Sequence, residues 1–294
     1  IMMNRNESQP VFKRQRFLLT FMQQLKESVT STDLQKLVFL CMKIDKLDYY
    51  DFIPYKFGPY SFQLADDIEI LKKNGYLSIR STHEGVRIKA VNELERDSMI
   101  YIAKERSNAL IKRAYCEYPY YAINSEIANR LFSGEDSKFI NEEKLKYIEK
   151  SEVLFTIGYE GKSIESFINT LIKNSIKVLI DVRRNPLSRK FGFSKNKLKQ
   201  ITETAGMNYI HLPELGIESD KRSSLESMND YMQLFDDYEK TLDKHATQID
   251  YIYSILNSKN RIALMCYEKD PKMCHRHVVS NYVKTKYSIK SEDI

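Results

Sequence analysis

Four short apolar runs, EVLFTIGYEG, KVLIDVRRNP, MNYIHLPELG and NRIALMCYE, recur through the second half of the chain with helix-patterned segments between them. Runs of this length, apolar on both faces, suit strands buried under helices on either side, and the alternation with helices makes neighbouring strands parallel. SIESFINTLIKNSI, with Ile164, Phe167, Ile168 and Leu171 on one face, is the first crossover helix. SKNKLKQITETAG, YMQLFDDYEKTLDKHATQIDYIYSIL and CHRHVVSNYVKTKY follow as further helices. The pattern predicts an α/β domain over residues 152–294, a mainly parallel sheet between two layers of helices.

In such sheets ligands bind beyond the carboxyl ends of the strands. Those ends carry Tyr159 and Glu160, then Asp181, Arg183 and Arg184, then His211 and Glu214, and finally Cys266 and Glu268. Strands buried on both faces have no structural need of carboxylates and arginines at their exits, so a site is expected there. The last run leads into LMCYEKDPKMCHRHVV, which sets two cysteines, a glutamate, two histidines and an arginine close together.

Three chemistries are open to these residues. Cys266, Cys274 and His275 admit one zinc ion, although the cysteines stand seven residues apart rather than the two to four of a zinc knuckle. Alternatively, Cys266 or Cys274 is a thiolate nucleophile with His275 as base and Arg276 lowering its pKa. The third reading fits the residue types best. Asp181 or Glu268 activates water or attacks carbon, His275 or Tyr159 moves a proton, and Arg183, Arg184 and Arg276 hold a phosphate. Under it Asp181, Glu268, Cys266, Tyr159 and His275 are the candidate catalytic residues, and no metal or cofactor is assigned. GYEGKS is not a P-loop, because it lacks the G-x-x-x-x-G-K-[ST] spacing. The stretch RRNPLSRKFGFSKNKLK is dense in Arg and Lys and holds no acid, so Arg189 and Lys190 join the candidate substrate contacts, with Phe191 and Phe193 offered for base stacking.

The first half reads differently. RFLLTFMQQLKE and SVTSTDLQKLVFLCMKI are amphipathic helices, the second capped by Ser31 or Thr32, and a third starts near Ser61. YLSIR and VRIKA alternate about a Gly-containing turn, which predicts a hairpin. Three helices and a two-stranded wing make a winged helix-turn-helix over residues 12–91, with Arg80, Arg87, Lys89, Lys72 and Lys73 as cations for a phosphate backbone. Residues 92–133 are expected to be helical and SGEDSKFINEEKLKYIEKSE to be a linker, so 92–151 forms a connector.

Two resemblances add to this. The joint occurrence of FTIGYEG, LIDVRRNP, HLPELG and ALMCYEKDPKMCHRHVV resembles the domain-of-unknown-function family four-eight-eight, which implies a Rossmann-like α/β domain and supports a site at these motifs without supplying a reaction. The phrase PYKFGPYS and its surroundings resemble phage-associated winged-helix proteins of the Panacea antitoxin type, which implies a phage-defence or mobile-element setting.

A chain of 294 residues with a net charge of +6 favours two domains and only mild attraction to polyanions. Four cysteines are too few for a disulfide framework, no apolar run approaches a membrane span, and the N-terminal stretch is polar where a secretory leader is apolar. The expectation is a cytoplasmic protein without membrane contact, an α-rich winged-helix domain followed by a Rossmann-like α/β domain. Its partner is nucleic acid or a nucleotide, with a protein partner open to the winged helix, and its function that of a hydrolase-type enzyme or of a non-catalytic nucleotide-sensing regulator.

Overall fold

The computed structural model describes residues 10, 12–83, 85–92, 100–218 and 227–294. The chain divides into two compact units, Ile1–Lys146 and Tyr147–Ile294.

In the N-terminal unit α1 (Lys13–Leu25), β1 (Val29–Thr30), α2 (Ser31–Ile44), β2 (Ile53–Tyr55), β3 (Gly58–Tyr60) and α3 (Phe62–Lys73) precede the hairpin of β4 (Leu77–Thr82) and β5 (Gly85–Ala90). β1 pairs antiparallel with β5, giving a three-stranded sheet in the order β1-β5-β4. Leu18, Phe21, Leu34, Leu37, Leu64 and Leu71 are buried, as their helical spacing requires. The cap of α2 is Thr30, whose hydroxyl accepts from the Asp33 N–H at 3.0 Å, one residue ahead of the expected Ser31 or Thr32. Ser61 caps α3 in the same manner.

The connector departs further from expectation. Residues 93–99 of the expected helix lie outside the described residues, and 100–106 are irregular. Long-range hydrogen bonds occupy the backbone there: Tyr101 N–H donates to the Asp45 carboxylate at 2.8 Å and Ser107 N–H to Asp33 at 2.8 Å. α4 (Ser107–Glu117) follows, then a 3-10 turn at Pro119–Ala122 and the short α5 (Ala128–Leu131). Tyr118 and Tyr121 pack edge-on against Phe39, so these tyrosines belong to the core. The expected linker begins instead as structure. α6 (Lys138–Leu145) buries Ile140, and Phe139 meets Phe132 at 5.4 Å.

The C-terminal unit is an α/β domain: β6 (Val153–Gly158), α7 (Ile164–Lys173), β7 (Val178–Asp181), α8 (Lys195–Thr204), β8 (Asn208–His211), α9 (Met228–Glu239), α10 (Ala246–Lys259), β9 (Arg261–Cys266), α11 (His275–Tyr287) and β10 (Ser291–Asp293). The five strands pair in parallel in the order β10-β6-β9-β7-β8. β9 therefore lies between β6 and β7, and its register sets Gly158 beside Cys266 and Asp181 beside Met265. β10 was not expected, because SED has no apolar alternation. It is held at the edge by pairing with β6 and by a bond from Thr156 to Asp293.

Alternation along the strands divides the buried side chains between two helix layers. Leu154, Ile180, Ile262, Leu264 and Cys266 pack with Ile249, Ile252, Val279 and Val283 of α10 and α11. On the opposite face Phe167 of α7 meets Phe193, which stacks on Tyr159 at 4.2 Å. The connections leaving the neighbouring strands β6 and β9 thus run to opposite faces, which opens a crevice at the carboxyl edge. Among the described residues no helix is long and apolar enough to cross a membrane.

Candidate functional site

Gly158 ends β6 without a side chain, and a Cβ there would overlap the carbonyl oxygen of Glu268. The backbone leaving β9 crosses directly over β6 at this point. Three side chains fix that crossing. Arg276 donates to the Glu268 carbonyl at 2.6 Å, to the Lys269 carbonyl at 3.1 Å and to the Thr156 hydroxyl at 3.2 Å. The Glu160 carboxylate accepts from Lys269 N–H at 2.9 Å. Arg276, 1% exposed, therefore holds the loop that presents Glu268 and does not face a phosphate as the sequence suggested.

The expected site residues separate by face. On the α7 face Asp181 is fully buried and accepts from the Arg183 backbone N–H, Nε and Nη2 at 2.6 to 3.0 Å and from the Tyr209 hydroxyl at 2.7 Å. Arg183 also donates to the Tyr159 hydroxyl at 3.1 Å and the Phe193 carbonyl at 2.9 Å. Burial alone would lower the Arg183 pKa, but the Asp181 carboxylate and Tyr159 raise it above its ordinary value. Burial and Asp181 likewise raise the Tyr209 phenol. Asp181, Arg183 and Tyr159 thus form a closed, satisfied network, whereas the neighbours of Glu268 are Cys266, Cys274 and His275. Phe193, offered for base stacking, is fully buried in the same layer.

On the α11 face stand Cys266, Cys274, His275 and Glu268. Cys266 ends β9, Cys274 precedes α11 and His275 opens it, so a strand end and a helix start converge despite their spacing. His275 Nδ1 lies 3.9 Å from Cys266 Sγ and 4.0 Å from Cys274 Sγ, and its Nε2 lies 3.0 Å from the Val182 carbonyl. Burial would raise the Glu268 carboxyl, yet hydrogen bonds from Cys274, its own backbone N–H and Cys266, together with His275, hold it below the ordinary range. Burial and the neighbouring Cys266 push the Cys274 thiol well up, which disfavours the free thiolate considered from sequence.

Beside this cluster the Tyr238 ring meets His275 edge-on at 5.8 Å, and its hydroxyl donates to the Leu215 carbonyl at 2.6 Å. Tyr238 is also a wall of a cleft of about 440 Å³ rimmed by Arg184, Glu214, Asp237, Lys244 and His245. The chain from 231 onward showed in sequence only as helix, and nothing in its pattern marked Tyr238, Lys244 or His245. Of the arginines assigned to substrate, Arg184 and Arg189 are exposed. Lys190 is half-buried, donates to the Tyr159 carbonyl at 3.2 Å, and has a pKa lowered by burial against the pull of Glu160. His211 Nε2 meets the Arg183 carbonyl at 2.9 Å, on the framework side.

The family model described as "Domain of unknown function DUF488" matches residues 163–283. The C-terminal unit carries a DUF488 domain. The matched residues run from the cap of α7 into α11 and include Asp181, Cys266, Glu268, Cys274 and His275, whereas β6 with Tyr159 precedes them. No curated protein and no solved structure matches the chain significantly.

Proposed function

We propose that the C-terminal unit is a hydrolase-type enzyme acting on a nucleotide or on nucleic acid, with Glu268 as its acid–base carboxylate. The observation that carries this reading is Glu268 itself, a half-buried carboxyl at the exit of the central strand whose surroundings favour its charged form. A carboxylate ionised at neutral pH suits a base that takes a proton from water, whereas a general acid needs the opposite shift. The cleft beyond Tyr238, which separates its lining from Glu268, has the volume of a small-ligand site. Arg184, Lys244 and His245 on its rim offer a phosphate both planar and point charges. A longer ligand would meet the exposed Arg189 and the Lys190 region next along the chain.

The test incubates the full chain with nucleoside mono- and triphosphates and with single- and double-stranded oligonucleotides, resolving products by mass spectrometry. One of these substrates should lose a glycosidic or phosphate bond. Glu268→Gln should lower that turnover by a factor on the order of a hundred or more while leaving substrate binding near the wild-type level. Unchanged turnover in the variant would remove Glu268 from the role.

A second reading is favoured by the N-terminal unit, whose order of three helices and a β-hairpin with a third strand supports a winged helix. The protein is then a non-catalytic regulator whose α/β unit senses a nucleotide, in the phage-defence or mobile-element setting implied by the Panacea-type resemblance. Arg80 is exposed on the hairpin, while Arg87 is half-buried and donates to the Ser28 carbonyl at 3.0 Å, so Arg80 is the better candidate for contact with nucleic acid or a protein partner. A cellular phenotype that survives Glu268→Gln and is abolished by Arg80→Ala selects the regulator.

A further inference from the structure

In the hydrolytic reading three ligand-type atoms on the α11 face serve only as neighbours of Glu268. Cys266 Sγ, Cys274 Sγ and His275 Nδ1 lie within 4.8 Å of one another, all three side chains buried. Tetrahedral zinc, with bonds of about 2.3 Å to sulfur and about 2.0 Å to nitrogen, sets sulfur and nitrogen about 3.6 Å apart. The observed separations of 3.9 and 4.0 Å need to close by only a few tenths of an ångström.

The histidine is already prepared for such an ion. Its Nε2 faces the Val182 carbonyl at 3.0 Å, and a carbonyl can only accept, so Nε2 carries the proton and Nδ1 turns its lone pair toward the sulfurs. Metal-ligating histidines are held in this way, one nitrogen on the metal and the other donating to a backbone carbonyl or carboxylate. Without an ion the lone pair meets two thiols, which are weak donors. The long spacing between the cysteines is no obstacle, because the Arg276 bonds to the 268–269 backbone bring the chain back to the strand end.

We infer that Cys266 Sγ, Cys274 Sγ and His275 Nδ1 ligate one zinc-class divalent ion, with its fourth position on the side of Glu268. Two sulfurs and an imidazole select zinc over magnesium or calcium. Binding exchanges the two thiol protons for the metal, so each ion taken up releases two protons to solvent. This assignment rests on the geometry of the cluster, and bound metal would take up the two thiols that donate to Glu268.

Elemental analysis of the full chain purified without chelator should find about one zinc per chain. Cobalt taken up by the chelated protein should give a thiolate-to-cobalt charge-transfer band. Cys41→Ser with Cys116→Ser should keep both signals, and Cys274→Ser should lose both. Because replacing a buried cysteine can unfold the chain, a second arm uses the unaltered protein: zinc added after chelation should raise Tm and shield two thiols from a thiol reagent. Glu268→Gln should keep the ion, since Glu268 is not among the three ligands, so loss of hydrolysis with metal retained speaks to the function and not to this site. Protein that is purified metal-free and binds no cobalt, or that carries a Cys266–Cys274 disulfide by mass spectrometry, overturns the assignment.

Discussion

Asp181 takes three hydrogen bonds from Arg183 and one from Tyr209 in a fully buried setting. Replacing it by alanine strands a guanidinium that is itself nearly buried, and breaking a buried pair in this way typically costs about 3–5 kcal/mol. Asp181→Ala is therefore expected to lower the unfolding free energy obtained from urea denaturation by an amount in that range, measured with and without added ligand. A variant that is fully stable but inactive would return Asp181 to catalysis. Sequence reading identified the residue and its place at a strand exit, yet gave it a role that its partners already fill. Which face a strand-end side chain takes follows from strand register, and the one-residue step from Asp181 to Val182 separates the two layers. The same parity set Cys266 against α11.

At the level of elements, the carboxyl edge depends on β9 entering between β6 and β7 and on its exit crossing Gly158. Gly158→Ala forces the Cβ into the Glu268 carbonyl, and overpacking of this kind costs about 1–3 kcal/mol. The expected outcome is a lower Tm together with loss of whatever activity Glu268 supports, because the backbone that presents the carboxylate must move. A Tm equal to that of the unaltered protein would show that the crossing is loose. Of the four strands legible in the sequence, β6, β7 and β9 are buried on both faces, which leaves uninterrupted apolar runs, while the edge strand β8 is only partly buried. β10 was not legible, since an edge strand of three polar residues is specified by pairing with β6 alone. The 100–106 stretch failed for a related reason: Asp45 and Asp33 claim its amides from far along the chain, which no local propensity reports.

For the molecule as a whole, charge and composition raised the expectation of a polyanion partner, and the proposed function sets that partner at the cleft of the α/β unit. Arg184 and the adjacent Lys244 and His245 come from two segments far apart in sequence that only the folded α/β unit assembles, so no motif could have announced the cleft. The residues matched to DUF488 include the whole lining of that cleft and the whole Cys–Glu–Cys–His run, which ties the cleft and the cluster to one unit. The most direct measurement is a crystal structure of the full chain soaked with a nucleoside monophosphate. Density is expected in the cleft, with phosphate against Arg184 or Lys244 and the nucleoside reaching past Tyr238 toward Glu268. Density confined to the N-terminal unit, or a cleft left vacant at saturating nucleotide, would contradict it.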